Sequence, residues 1–242
     1  MKGQPARPLP LKAQLLITKL WQEAQNQPEN GILPHRREAL YRAIWPSLDI
    51  SGERREVMID TDDLPLSEED FQFGHLAIHA VQHVLPIWDR FATPGALSGK
   101  GLGQEVRLPR WILEVAQDVL RERIEPLKAY EMLGDFYDLV DQVAYLTPYP
   151  VWSVAKAAYV TLSGILGAEC FPVAAETGEA TDDDPARYAA AACATLDENP
   201  AGDWWRNHPN HTPFGFDGVQ QLAFWEWWLG TAVPAAAQRA MK

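Results

Sequence analysis

Apolar residues recur every three or four positions along most of this chain, and prolines and glycines interrupt the repeat. This spacing places apolar side chains on one face of an α-helix, which can then pack against other helices. The pattern predicts an all-α protein, a single bundle of about seven to eight helices with long irregular loops and little or no β structure. Helices are predicted over residues 11–25, 34–44, 68–85, 109–120, 127–146, 151–168, 188–196 and 217–239, and only Glu56–Asp60 allows a short strand.

Local signals define where some helices start and stop. Ser67 and Asp70 have the spacing of a capping box, in which each side chain bonds the other residue's backbone N–H. Pro86 is expected to end or kink the helix that starts there. Residues 93–103 contain four glycines and one proline, which predicts a loop and a flexible hinge. We expect residues 1–65 to form a helical extension packed on a main helical domain of residues 66–242.

The last predicted helix is unusually aromatic. Five of the ten tryptophans lie between Trp204 and Trp228. At about 100° per residue, Trp225, Trp228 and Leu229 share one helix face, and Glu226 points to the opposite side. Such a face is either the centre of a core or an anchor for a partner, because aromatic residues dominate both settings. The width of the apolar arc favours the core.

The charge of the chain is strongly acidic, with 33 Asp and Glu residues against 21 Lys and Arg and a net charge of −12. This balance argues against nucleic acid as a ligand, because phosphates are neutralised by Lys and Arg. It is compatible with simple solubility, or with a basic protein partner attracted at long range. The candidate partner-binding residues are the acids of two loop segments, Asp60, Asp62, Asp63, Asp182, Asp183 and Asp184.

Composition narrows the setting in which the protein acts. Cys170 and Cys193 are the only cysteines, which is too few for a disulfide framework. We predict a structural role for both. The sequence contains no run of 18 apolar residues, so no membrane span is predicted. The first residues also lack the apolar core of a signal peptide. We therefore expect a cytoplasmic protein that acts as a monomer or homodimer and contacts neither membrane nor nucleic acid.

Three histidines form the most chemical pattern in the chain. His75, His79 and His83 recur every fourth residue and occupy a helical arc of about 80° beside the apolar stripe. Two of them could share a metal ion with a distant carboxylate, but all three span about 12 Å along the helix axis, too far for one ion. A polar or partner-facing ridge is the favoured interpretation, and no metal or cofactor is predicted.

Other catalytic signatures are missing from the sequence. It contains no Gly-x-Ser-x-Gly elbow, no phosphate-binding loop and no Gly-x-Gly-x-x-Gly motif after a strand. His208 and His211 flank a proline and an asparagine, a composition that is equally typical of a turn. No catalytic residue is therefore predicted.

Several blocks of the chain resemble a bacterial family, the all-helical immunity-protein family five of polymorphic toxin systems. The most specific block is Phe224–Leu229 followed by Ala232–Ala235. Similar blocks are the acidic lead Asp182–Pro185 before an alanine-rich helix, the segment His83–Trp88 and the segment Trp152–Ala158. The resemblance covers scattered blocks from residue 71 to residue 237, and the first 65 residues do not contribute to it.

The resemblance implies a cytoplasmic protein that binds and neutralises a cognate toxin, without catalysis and without a cofactor. Two other hypotheses remain open from the residues alone. One is a metal-dependent helical-bundle enzyme that uses the ridge of His75, His79 and His83. The other is a non-catalytic helical adaptor or scaffold. The family resemblance, the acidic charge and the missing catalytic motifs favour the immunity protein, with a basic toxin domain as its partner.

Overall fold

A computed structural model describes residues 8–28, 31–48, 58–61, 63–92, 104–167, 184–195 and 217–239 of the chain. The regular structure in these ranges is helical, which confirms the all-α prediction. Residues 58–61 form a helical turn, so the short strand expected at Glu56–Asp60 is wrong for its described part. The helices are α1 (Leu11–Asn26), α2 (Pro34–Ile44), α3 (Glu68–Phe91), α4 (Leu108–Leu120), α5 (Pro126–Ala144), α6 (Tyr149–Ile165), α7 (Pro185–Ala194), α8 (Gly218–Trp227) and α9 (Val233–Ala237).

Helix α6 lies at the centre of the assembly and packs against α3, α4, α5 and α7. It is buried on nearly all sides, and only three of its residues, among them Lys156 and Tyr159, are partly exposed. A helix that is apolar all round must be covered by neighbours on every side. Its small residues, Ala155, Ala157, Ala158 and Gly164, let those neighbours approach closely.

Helix α3 begins at the residue that its sequence predicts, but it ends later than predicted. The Ser67 hydroxyl accepts a hydrogen bond from the Asp70 backbone N–H at 3.1 Å, and Asp70 Oδ2 accepts from the Ser67 N–H at 3.0 Å. The helix continues through Pro86 to Phe91. Pro86 and Gln82 are both exposed, so water can bind the Gln82 carbonyl that the proline ring leaves without an N–H donor. The exposed position of Pro86 is therefore consistent with its place inside the helix.

The amino-terminal helices share the core of the remaining chain. Helix α1 contacts α2 and α8. Between α1 and α2, Gly31 has a φ of +57°, and a Cβ there would overlap the Gln221 amide and lie 2.7 Å from Nε1 of Trp225. Only glycine combines this backbone conformation with so close an approach. Residues of α1, α2 and the later helices belong to one buried hydrophobic cluster.

The aromatic carboxyl-terminal segment closes this core. Trp225, Trp228 and Leu229 are 1%, 0% and 2% exposed, which confirms that their face is buried. The helix is not uniform, because residues Trp228–Ala232 form a π-helical turn between α8 and α9. The π turn was not predicted, since its sequence keeps the same apolar spacing as an α-helix.

Candidate protein-interaction site

Asp184, one of the predicted partner-binding acids, lies in the interior and is 1% exposed. Its Oδ2 accepts hydrogen bonds from Arg37 Nε at 2.7 Å and from the Tyr41 hydroxyl at 2.9 Å. Its Oδ1 accepts from the Ala186 backbone N–H at 2.7 Å and so caps α7. Arg37 is 2% exposed and also donates to the Ile32 carbonyl. Asp184 therefore joins α2 to α7 and is not accessible to a partner in this conformation, contrary to its predicted role.

The other acidic residues of the prediction occupy different positions. Asp60 and Asp63 are exposed beside the helical turn of residues 58–61, which the fully buried Met58 fixes to the core. Ile59 follows Met58 in the sequence and is 47% exposed. This surface therefore has an apolar side chain as well as the two carboxylates. Asp62, Asp182 and Asp183 lie outside the described residues. Partner binding by Asp60 and Asp63 stays a prediction.

The three histidines of α3 lie in three environments. His75 is buried and packs edge-on against Phe71, with ring centroids 4.5 Å apart. His79 is partly exposed. His83 is exposed and stacks on Trp227, with centroids 3.8 Å apart and an angle of 15° between the planes. The ridge therefore becomes steadily more exposed along α3, and aromatic rings contact its two ends.

The surroundings of all three imidazoles lower their pKa values and so favour the neutral form. Burial lowers the pKa of His75 to about 4, and the Arg239 guanidinium lowers it further by repelling the protonated ring. The same two causes lower the pKa of His79, and burial lowers that of His83. Neutral imidazole can bind a metal ion, but no group of three His, Cys, Asp or Glu side chains with metal-binding geometry occurs within the described ranges.

The described cysteine has the environment of a structural thiol. Cys193 lies on α7 and is partly exposed, and burial raises the pKa of its thiol to about 11. Nucleophilic cysteines need a lowered pKa, because the thiolate is the reactive form. Cys170 and the pair His208 and His211 lie outside the described residues, as does the predicted hinge of residues 93–103.

A further set of exposed acids lies on α5 and was not selected from the sequence. Its members are Glu131, Asp135, Asp138 and Asp141, and none of them forms an ion pair with another described residue. Some acids on other surfaces are paired, such as Glu23 with Arg36 at 3.2 Å and Asp89 with Arg110 at 2.6 Å. The spacing of these four acids places them on one face of α5, a signal that the net charge of the whole chain does not reveal.

Comparison with protein-family models matches residues 18–235 to the family described as Immunity protein Imm5. The chain belongs to the Imm5 immunity-protein family. The Imm5 match begins inside α1 and ends inside α9, so it includes most of the amino-terminal region that the resemblance did not cover. Comparison with curated proteins finds no match. None of the Imm5 helices described here has both the length and the apolar character needed to span a membrane.

Proposed function

We propose that this Imm5 protein binds a cognate toxin domain and thereby neutralises it in the bacterial cytoplasm. The observation that carries the proposal is the family match over residues 18–235. An immunity protein acts by occupying its toxin, so its requirements are a stable fold and a complementary surface. In this proposal the helical core provides the stable fold, and exposed side chains provide the complementary surface.

The partner in this proposal is a basic protein domain. The net charge of −12 attracts a positively charged domain at distances beyond direct contact. Exposed acids without an ion-pair partner, such as those of α5, add local complementarity. Protein toxins that act on nucleic acid need basic surfaces to bind phosphates, so they fit this description.

The proposed role is not catalytic. The histidine ridge is assigned no catalytic role because His75 and His83 pack against Phe71 and Trp227. These contacts give both rings a packing role, which is consistent with the direction in which their pKa values are shifted. Exposed His83 stacks on the partly exposed Trp227 of α8, and the two rings form a small aromatic surface.

Co-expression tests the proposal directly. The toxin domain encoded in the neighbouring reading frame is induced in bacteria with and without this chain, and growth is measured. We expect the chain to restore growth, and the purified pair to elute as one complex whose mass is read by light scattering. An unrelated acidic protein of similar size is the control for non-specific charge effects. Equal killing with and without the chain would overturn the proposal.

The charge component has its own measurement. If attraction between opposite charges guides association, the association rate constant should fall as ionic strength rises, because salt screens charges beyond about 10 Å at 0.1 M. Stopped-flow mixing at several salt concentrations gives this dependence. An association rate that does not change with salt would remove charge from the proposed recognition while leaving toxin neutralisation intact.

A further inference from the structure

The outer face of α5 is exposed over half the helix circumference. At about 100° per residue, its exposed residues fall within an arc of about 180°. The opposite half is buried against the core through Ala129, Leu133, Phe136, Val140 and Val143. The exposed residues are Lys128, Glu131, Gly134, Asp135, Tyr137, Asp138, Asp141 and Gln142, and Tyr145 continues the same face just beyond the helix.

Charge on this face is arranged unfavourably for an isolated helix. Glu131 and Asp135 are four residues apart, and Asp135 and Asp138 are three apart, so like charges are neighbours along one line. Lys128 is the single cation of the exposed face, and none of the four acids forms an ion pair with a described residue. The arrangement weakens the helix, and a positively charged surface laid against it would relieve the repulsion.

Gly134 is a second unfavourable feature in the middle of the same face. A glycine in a helix interior is less stable than alanine, because it loses more backbone freedom on folding. Such a glycine is often required because a neighbouring element packs too closely for a Cβ. At Gly134, however, a Cβ would meet no atom within 4 Å. Nothing in the described fold needs a glycine here. A partner that approached closely would make use of it, because the absent side chain leaves the helix backbone open to contact.

Two exposed tyrosines lie on the same face, one turn and three turns after the glycine. Tyr137 is 53% exposed and Tyr145 is 47% exposed, the largest exposures of aromatic residues in the described chain. The Tyr137 ring lies 5.9 Å from that of Tyr159, over which Lys156 Nζ lies at 5.0 Å. A tyrosine held by such neighbours loses little conformational entropy on binding. Tyrosine is also enriched among residues that dominate binding energy.

We propose that the outer face of α5 is the surface that the basic toxin domain covers, with the toxin backbone or a side chain packed against Gly134. This inference rests on the proposed immunity function and specifies the surface that performs it. A second copy of the chain does not fit, because two faces with four acids each would repel one another. A nucleic acid is excluded on the same ground, whereas a basic protein surface complements the charge and packs against the tyrosines.

The first test fills the space above Gly134. Gly134→Gln adds an uncharged side chain and a better helix former, so the thermal midpoint should rise by about 1–3 °C. Binding of the co-encoded toxin domain, measured by titration calorimetry, should weaken by at least about tenfold, because the side chain blocks close approach. Ala223→Gln adds the same side chain at an exposed position of α8 and should leave affinity unchanged. A more stable variant that binds less well is an outcome that unfolding cannot produce.

The second test reverses charge. Asp138→Lys should slow association with the toxin domain roughly tenfold at low salt, because a repulsive charge replaces an attractive one. Glu226→Lys makes the same change on the exposed face of α8 and serves as the matched control. Hydrogen exchange with and without toxin adds a map of the covered surface, on which protection should concentrate in residues 126–146.

The outcomes separate the two proposals. If the unmodified chain binds the toxin and both α5 variants bind as well as it does, the assignment of this face is overturned and the immunity function stands. If the unmodified chain does not bind the toxin, the immunity function fails and the surface assignment fails with it. Weakened binding in the α5 variants alone, with protection over residues 126–146, supports both.

Discussion

The interior around α2 and the outer face of α5 place the same residue types in opposite surroundings. Inside, the Asp184 carboxylate is matched by Arg37 and Tyr41, and Trp228 meets the ring of Tyr41 edge-on at 6.0 Å. On α5, four acids pair with no described cation, and Tyr137 is about half exposed.

This difference indicates that the two regions have different roles in stability and in binding. A buried charge must be paired, because an unpaired one would destabilise the fold by several kcal/mol. An exposed charge tolerates the lack of a partner and remains available for one. Acidic and aromatic residues inside this protein therefore maintain its structure, whereas we expect those on the outer face of α5 to add little to stability. The following measurements test that division, beginning with the largest expected effect.

Trp228→Ala should be the most damaging substitution. Trp228 is fully buried, so its removal leaves a large cavity and should cost near the upper end of roughly 3–5 kcal/mol of unfolding free energy. Urea unfolding followed by circular dichroism measures this loss. Tyr137→Ala on α5 is the matched aromatic truncation and should cost less than about 1 kcal/mol. Equal losses at the two positions would contradict the division between interior and outer face.

Arg37→Ala should lower the unfolding free energy by about 3–4 kcal/mol, because it leaves the buried Asp184 carboxylate without its guanidinium. Arg42→Ala on the same helix removes an exposed ion pair with Glu38 and should cost at most about 0.5 kcal/mol. The same urea titrations compare both variants. Similar small losses for the two arginines would mean that the buried pair contributes no more than a surface pair.

Stability should fall in mild acid because of His75. Its pKa is about 4 in the folded chain and about 6.5 when unfolded, so the unfolded state binds the proton first as pH falls. The contribution is complete above the unfolded pKa and is lost between about pH 6.5 and pH 4. Linkage gives a loss of about 2 kcal/mol between pH 7 and pH 5. His75→Gln should flatten this slope in urea titrations at the two pH values, and an unchanged slope would assign it to other groups.

Asp138→Asn should have the smallest effect, and its sign is informative. Removing one of several like charges from α5 should leave the unfolding free energy unchanged or raise it by up to about 0.5 kcal/mol. Thermal unfolding at low salt detects the change, and high salt should reduce it. A clear loss of stability would show that Asp138 has a stabilising role within the fold.

Local sequence rules predict the helices well because their signals are local. The spacing of Ser67 and Asp70 is sufficient to predict the start of α3, and the apolar arc of Trp225, Trp228 and Leu229 is sufficient to predict their burial. Pro86 shows the limit of such rules, because its effect depends on whether the freed carbonyl faces water. That property belongs to the assembled protein.

A candidate interaction site is harder to predict, because partners distant in sequence decide which charges are available. The run Asp182–Asp184 reads as an exposed acidic loop, and the pairing of Asp184 with a residue 147 positions away reverses that interpretation for its last member. The acids of α5 are spread among apolar residues and do not form a run. Their common face becomes informative only when helix phase and the lack of ion-pair partners are considered together.

The contacts of α2 also bear on how the chain is synthesised. Tyr41 packs against Phe73, bonds Asp184 and meets Trp228, so the last of its partners is near the end of the chain. Translation of the intervening roughly 190 residues at about 5–20 per second takes about 10–40 s. Until these partners are translated, Arg37 and Tyr41 lack Asp184, and Tyr41 also lacks Trp228. The amino-terminal helices are therefore made first on the ribosome and complete their packing last.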